Sequence, residues 1–450
     1  MSLDFHELPA REFDLLAAGG NGPAAIAALK RAQYSKHMLL LRGVADASGA
    51  PSHAAAYDLL ARAQRQAPEA AASTVAHPSV GAWAHRTMRA LRGEPVPADA
   101  AQAGPDLDGL AAVAGAAAIR AGLAAQIEVP VRDGRVVLPS LGIASLPQPP
   151  ASLTHAPASP AQSATLRSTS AGAEIALAGT RVLIPADRHA SAPGWQPLRP
   201  LLTAPFELLI DDGDPYRMPA APDLIAVPDL AAWRPLFQDA VALLERRHQA
   251  VAAEVAALVK VVVPLGRPPH GQVSSSSPET FGAIALSAPV DTCSLAVTLT
   301  HEVQHVKLSA LLDVLPLTRP DDGRRYYAPW REDPRPVSGL LQGAYAYLGV
   351  TSFWHRQRAA SEEGTSRDAE LLADSEFARW RSATAGVTEV LLTSGGLTSH
   401  GERFARGMAA ALRACLREPV PDAAQRVAAA ERDRHLARWQ SAHGPIPAAR

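Results

Sequence analysis

Leu299-Thr300-His301-Glu302-Val303-Gln304-His305-Val306-Lys307-Leu308-Ser309-Ala310-Leu311-Leu312-Asp313 is the stretch on which the reading of this chain turns. Side chains four apart on an α-helix lie on adjacent turns, about 40° apart around the axis at about 3.6 residues per turn. His301 and His305 therefore present two imidazole nitrogens to one point, as a helix that binds a divalent metal does. The flanking pattern is helical. Leu295, Leu299, Val303, Leu308, Leu311, Leu312 and Leu315 recur at helical spacing, Pro316 stops the run, and Asp291 or Thr292 can cap its start. Just upstream, Phe281-Gly282-Ala283-Ile284-Ala285-Leu286-Ser287 reads as a strand.

A strand followed by a metal-binding helix is the arrangement of zinc-peptidase-like folds. The expectation is an α+β, helix-rich protein with a zincin-like catalytic core, an edge strand led by 281–287 running along the helix 292–315. With 15 histidines in 450 residues a chance HExxH is a real alternative, and the strand–helix context is what speaks against it.

At 450 residues and 47% hydrophobic content the chain can bury a large core, and its length suggests two or three domains. A net charge of −1 and a pI near 7.0 give no reason to expect nucleic acid or an anionic membrane surface as partner. Cys293 and Cys415 are the only cysteines, without a disulfide framework or a CxxC metal motif. No basic start followed by an apolar run opens the chain, and no stretch approaches about eighteen uninterrupted apolar residues, so a cytoplasmic protein without a membrane span is expected.

Three regions follow from the texture. Residues 1–126 read as a helical N-terminal region, with helices at Pro23–Leu41, Ala54–Arg65, Ser79–Leu91 and Leu107–Gln126. Residues 127–228 read as a sheet-containing middle region with strands at 127–131, 135–138, 174–177, 181–185 and 206–210. Residues 229–450 read as the helical metal-binding catalytic region, with helices at 229–260, 292–315, 337–360, 367–383, 402–417 and 423–440. The acidic turn Asp211-Asp212-Gly213-Asp214 resembles the start of a calcium loop but has Pro222 where the bidentate glutamate belongs, so it reads as a surface turn.

Two histidines do not complete a metal site. Glu332 and Asp333, on a proline-bracketed loop, offer carboxylates; Gln342 lies on a helix that can run antiparallel to the histidine helix and offer its amide oxygen; His355 lies too far along that helix. Arg331 and Arg335, stiffened by Pro329, Pro334 and Pro336, suit bidentate capture of a carboxylate, or else pair with Glu332 and Asp333.

The histidine stretch, together with Ala328-Pro329-Trp330-Arg331, Asp333-Pro334-Arg335-Pro336 and Gly339-Leu340-Leu341-Gln342-Gly343-Ala344-Tyr345-Ala346-Tyr347, resembles the HExxH-type peptide β-hydroxylases. These are iron(II)- and 2-oxoglutarate-dependent oxygenases of ribosomally made peptides. The resemblance extends to Gln33-Tyr34-Ser35-Lys36-His37, Asp214-Pro215-Tyr216-Arg217 and Phe281-Gly282-Ala283. It implies His301 and His305 as iron ligands, Gln342 at the third-ligand position, Arg335 or Arg331 on the far carboxylate of 2-oxoglutarate, O2 as co-reactant and a precursor peptide as substrate. The competing enzyme reading is a zinc metallopeptidase, in which Glu302 is the general base on metal-bound water. In an oxygenase Glu302 instead orients a ligand or a bound water. A metal-free peptide-recognition scaffold is the third reading.

Overall fold

The computed structural model describes residues 6–20, 22–94, 104–146, 162–170, 172–204, 206–219, 221, 223–227, 229–269, 271–359 and 366–445. It is 55% helical and 16% strand, which establishes a mixed α+β class dominated by helix. The chain forms two compact units, one of Met1–Ala32, Ala232–Val259 and Pro289–Arg450, the other of Gln33–Ala231 and Lys260–Ala288. Among the described residues no helix is long and apolar enough to cross a membrane.

The unit of 33–231 and 260–288 holds twelve described strands: β1 Ala125–Val131, β2 Arg135–Leu138, β3 Gly142–Ser145, β4 Gln162–Thr169, β5 Gly172–Leu177, β6 Thr180–Ile184, β7 Trp195–Pro197, β8 Arg199–Leu202, β9 Leu208–Ile210, β10 Val261–Leu265, β11 Ser274–Ser275 and β12 Ala283–Ser287. They form sheets of order β1-β4-β5-β6, β2-β3-β7 and β11-β12-β10-β9-β8. The first two are antiparallel, while β10 pairs parallel with both β9 and β12. Every residue of β10 and β12 is buried, so Val261-Val262-Val263-Pro264-Leu265 shows the unbroken apolar run of a strand covered on both faces. That run has no period-2 alternation, and β10 was accordingly not expected.

The boundaries expected at 126 and 228 differ from those found. Residues 33–126 join the sheets because the alanine-rich helix Gly109–Arg120, buried along most of its length, packs on β1, β2 and β4. Residues 260–288 join them because β10 continues the β8–β9 ladder. β12, expected at 281–287 as an edge strand, is instead an inner strand of this unit, flanked by β11 and β10, and the histidine helix falls in the other unit.

In that other unit the histidine helix is Thr292–Leu312. Asp291 caps it, accepting the Ser294 N–H at 2.9 Å, an interaction worth about 1 kcal/mol. It packs against Arg234–Arg247, Gln249–Leu258 and Val337–Ala359. The helix expected at 229–260 is two helices, broken at His248, whose ring stacks on Phe353 at 4.1 Å. The helix expected to end at 383 runs on to Thr393, because Thr384, Val387, Thr388 and Leu391 are buried and tertiary packing overrides the weak propensity of threonine, valine and Gly386. Ser399–Arg417 and Asp422–His443 complete the unit.

The acidic turn after β9 is not on the surface. Asp211 is 1% exposed and Asp214 5%. Asp211 folds back on its own backbone, its Oδ1 accepting the N–H groups of Gly213 and Asp214, while Asp214 Oδ1 accepts the Tyr216 N–H at 2.8 Å. Burial, then the charge of Asp214, pushes the Asp211 carboxyl up to about 7. A folded value above the unfolded one means the folded state holds the proton more tightly, so a destabilisation grows as pH rises from the ordinary carboxylate range through about 7 and is complete above it. Asp211→Asn keeps the oxygen that accepts both N–H groups and removes the charge. The variant is expected to melt several degrees above the wild type at about pH 8 and level with it at about pH 4, where the wild-type carboxyl is protonated. Thermal melts at the two pH values check this, and an equal difference at both would refute it.

Candidate metal centre

His301 and His305 project from adjacent turns with their Nε2 atoms 3.1 Å apart, the rings edge-to-face at 74°. Donors about 2.1 Å from one ion are about 3.0 Å apart at right angles and about 3.4 Å apart at the tetrahedral angle, so this separation fits two ligands of one divalent metal. His301 is largely enclosed, with 22% of its side chain exposed. Burial, then the neighbouring His305, holds its imidazolium well below the ordinary value, so the ring is neutral with a lone pair to offer at neutral pH.

Gln342 defines the second ring. Its Nε2 donates to Ser309 Oγ at 3.4 Å, which turns its Oε1 toward His305 Nδ1 at 3.0 Å. A hydrogen bond donated by Nδ1 to this oxygen puts the lone pair of His305 on Nε2, the nitrogen that faces His301. Gln342 thus stands at the Nδ1 edge of the ring, the position of a group that orients a ligand, and is not seen beside the His301 and His305 Nε2 atoms where a third ligand was expected. The helix carrying it does run antiparallel to the histidine helix: Gln342 meets Ser309 and His305, Tyr347 meets His301, and Gly349 meets Gln304. The approach at Gly349 is close enough that a Cβ there would stand 2.7 Å from Gln304 Cγ.

Around the pair lies an aromatic wall that sequence reasoning left without a role. Tyr347 meets His301 edge-on at 5.1 Å, Trp330 stacks on Tyr347 at 4.8 Å, and Trp380 lies 4.2 Å beyond. Burial pushes the Tyr347 phenol up to about 12, so it remains protonated. Glu302 is buried, its Oε1 4.0 Å from His301 Nε2. A further missed residue is Lys307, fully buried and paired with Glu254 at 2.6 Å. One lysine of four in the chain, set inside an apolar helical pattern, was the available signal.

The loop carboxylates stand apart from the histidines. Asp333 receives Arg331 Nε at 2.6 Å and an Arg335 terminal nitrogen at 2.9 Å. Burial works against its charge, but these two hydrogen bonds hold its carboxyl down to about 2. Glu332 is 80% exposed, 3.7 Å from Arg438. Both loop arginines thus share Asp333, while Arg335 Nε is buried and makes no hydrogen bond. His355 stacks on Phe377. Among the described residues no group of three or more His, Cys, Asp or Glu converges as a metal site.

No protein-family model matches the chain, and no curated protein does.

His305→Ala is expected to abolish metal binding, since it removes one of two imidazole donors. Gln342→Leu removes the acceptor that fixes the His305 tautomer and is expected to weaken metal affinity by about 10–100-fold without abolishing it, the usual range for a group behind a ligand. Metal titration followed by calorimetry separates the two. Loss as complete for Gln342→Leu as for His305→Ala would make Gln342 a ligand after all.

Proposed function

We propose that this chain is an iron(II)- and 2-oxoglutarate-dependent oxygenase that β-hydroxylates a residue of a ribosomally synthesised peptide in the cytoplasm, on a zincin-like core. The observation that carries the metal-centred part is the convergence of two imidazole nitrogens 3.1 Å apart, one ring hydrogen-bonded behind by Gln342. The sequence resemblance carries the choice of chemistry. His301 and His305 would hold the metal. Bound there, iron(II) with 2-oxoglutarate and O2 supplies the oxidising power that converts a substrate C–H to C–OH as the cosubstrate is released as succinate and CO2.

The chain's own residues bind, orient and exclude water. Gln342 and Ser309 keep His305 in one tautomer and one ring orientation. Trp330, Tyr347 and Trp380 wall one side of His301 with apolar surface, which keeps bulk water from the reacting centre. Arg335 lies against Gly339, about one helical turn before Gln342, and its buried Nε–H is a free donor. That donor, with the terminal nitrogen now on Asp333, forms the fork assigned to the distal carboxylate of 2-oxoglutarate; Arg331 is the alternative.

One observation favours the zinc peptidase as a second reading. Glu302 Oε1, 4.0 Å from His301 Nε2, is within reach of a water bound between the histidines, where a general base belongs.

Reconstitution of the metal-free protein with iron(II) or zinc decides between them. With iron, peptide, 2-oxoglutarate, ascorbate and O2, the peptide is expected to gain about 16 Da with release of succinate, one oxygen atom inserted per turnover. Peptide-bond cleavage with zinc and no mass gain with iron would establish the peptidase.

Arg335→Lys keeps a charge and loses the planar fork. It is expected to raise the KM for 2-oxoglutarate about tenfold or more, corresponding to about 1.5–3 kcal/mol for a hydrogen bond to a charged group, with metal content unchanged. Cosubstrate titrations of Arg335→Lys and Arg331→Lys separate the two arginines, and no change in either would confine both to bracing Asp333.

A further inference from the structure

A groove of about 940 Å³ opens along the Arg367–Thr393 helix, between it, the 324–329 segment and the Asp422–His443 helix. Its lining carries Arg324, Arg325, Arg379, Arg381 and Arg432, and no aspartate or glutamate. Its lining also carries the aliphatic Val387, Val390 and Leu436 and the rings of Tyr326, Tyr327 and Trp380. Trp380 belongs to the lining and also touches Tyr347, which touches His301, so two ring contacts connect the groove to the histidine pair.

Shape, charge and lining together select a ligand. The lining on the central helix extends from Ala378 to Ser394, about 24 Å at about 1.5 Å per residue, which matches about seven residues of extended peptide at about 3.3 Å each. A compact small molecule would leave most of that length empty. Arg381 spends its guanidinium on the backbone carbonyls of Cys415 and Glu418 and braces the wall. The others pair with acids outside the lining, Arg325 with Asp321, Arg324 with Asp322, Arg432 with Asp433 and Arg379 with Glu376, while Arg324 also donates to the Ser394 carbonyl and Arg379 lies over the Trp380 ring. The pairs of Arg324, Arg325 and Arg432 are solvent-exposed, and pairs of this kind are weakly held and exchange readily for an incoming carboxylate, whereas Arg379 and Glu376 are largely enclosed and held by Trp380. Val387, Val390 and Leu436 suit the aliphatic side chains of a peptide, which a nucleic acid lacks.

We propose that this groove docks an extended, acidic segment of a peptide, with its carboxylates on Arg325 and Arg432 and its apolar side chains on Val387, Val390 and Leu436. That this peptide is the enzyme's substrate, held beside the reacting centre, rests on the hydroxylase reading; the binding itself does not. Docking remote from the reacting residue supplies affinity and register while the centre selects the residue that reacts.

The test is binding alone, with no metal and no turnover, so it stands or falls separately from the oxygenase assay. A fluorescein-labelled decapeptide of alternating glutamate and leucine is titrated with the full-length protein and followed by anisotropy. Its lysine–leucine counterpart and a labelled single-stranded decanucleotide serve as comparisons. The acidic peptide is expected to bind, at least tenfold tighter than either comparison, and to weaken as salt is raised. Arg325→Glu/Arg432→Glu is expected to weaken it at least tenfold, Arg432→Glu alone by a smaller factor, and Arg406→Glu, on the Ser399–Arg417 helix outside the groove, not at all. Circular dichroism of each variant confirms folding, and Arg432→Glu, a change at an exposed side chain, decides the matter should the double variant unfold. Equal binding of the lysine peptide, tighter binding of the oligonucleotide, or unchanged affinity in folded Arg432→Glu would overturn the assignment.

Discussion

The buried pair of Lys307 and Glu254 sets the frame for the centre. Lys307 follows His305 by two residues, about 140° around the helix axis from the midline of the two histidines, so it faces backward when they face forward. Its Nζ meets Glu254 Oε1 at 2.6 Å on the Gln249–Leu258 helix, and both side chains are almost wholly removed from solvent. Burial lowers the Lys307 ammonium and raises the Glu254 carboxyl, and for each the attraction of the other recovers only part of the shift. Such a pair adds little net stability, whereas removing one member leaves a buried charge at a cost of about 3–5 kcal/mol. The helix can therefore rotate or slide only by breaking the pair. A backward-facing constraint that strict fixes which way His301 and His305 point.

The forward face is held by a softer device. Gln342 reads the histidine helix at two positions, Ser309 through its nitrogen and His305 through its oxygen, and the close approach at Gly349 sets the separation of the two helices. The amide can satisfy both partners in only one orientation, and in that orientation the bare nitrogen of His305 faces the bare or shared nitrogen of His301. Two helices locked by one charge pair behind and one amide in front leave the imidazoles little freedom, which is what a metal needs if binding is to cost little rearrangement.

Much of this was legible in the sequence, and the reason is locality. The histidine helix, its Asp291 cap, the helix from Val337 and the hairpin strands at 135–138, 172–177 and 180–184 depend on period and neighbours, which a single chain displays. What escaped depends on contacts distant in sequence. β10 was hidden because a strand covered on both faces loses its alternation, and the Arg367–Thr393 helix looked shorter because the burial that sustains its last three turns comes from other helices. Asp211 looked like a surface residue because acidic turns usually are; that its carboxyl folds onto its own backbone cannot be read from composition. At the centre, spacing paired His301 with His305 but could not tell a ligand from a group behind a ligand, since Gln342 at either ring edge gives the same sequence. The two arginines flanking Glu332 and Asp333 were ambiguous for a similar reason, as a fork that grips a cosubstrate and one that grips Asp333 are spelled alike.

Charge balance at the centre bears on which chemistry suits it. His301 is held neutral by burial, Tyr347 is held protonated, Gln342 carries no charge, and the two loop arginines are tied to Asp333 away from the histidine nitrogens. Glu302 Oε1 stands 4.0 Å from His301 Nε2, close enough to hold a water on the ion. A divalent ion held by two imidazoles keeps nearly all its charge, and in a poorly solvated pocket that charge draws an anionic ligand strongly. A dicarboxylate with one end at the ion and the other on an arginine fork answers that demand with two charges of the right sign. A hydrolytic site in the same frame must generate its anion from water, which Glu302 can assist. The proposed cosubstrate thus completes the electrostatics of this donor set more fully than water does.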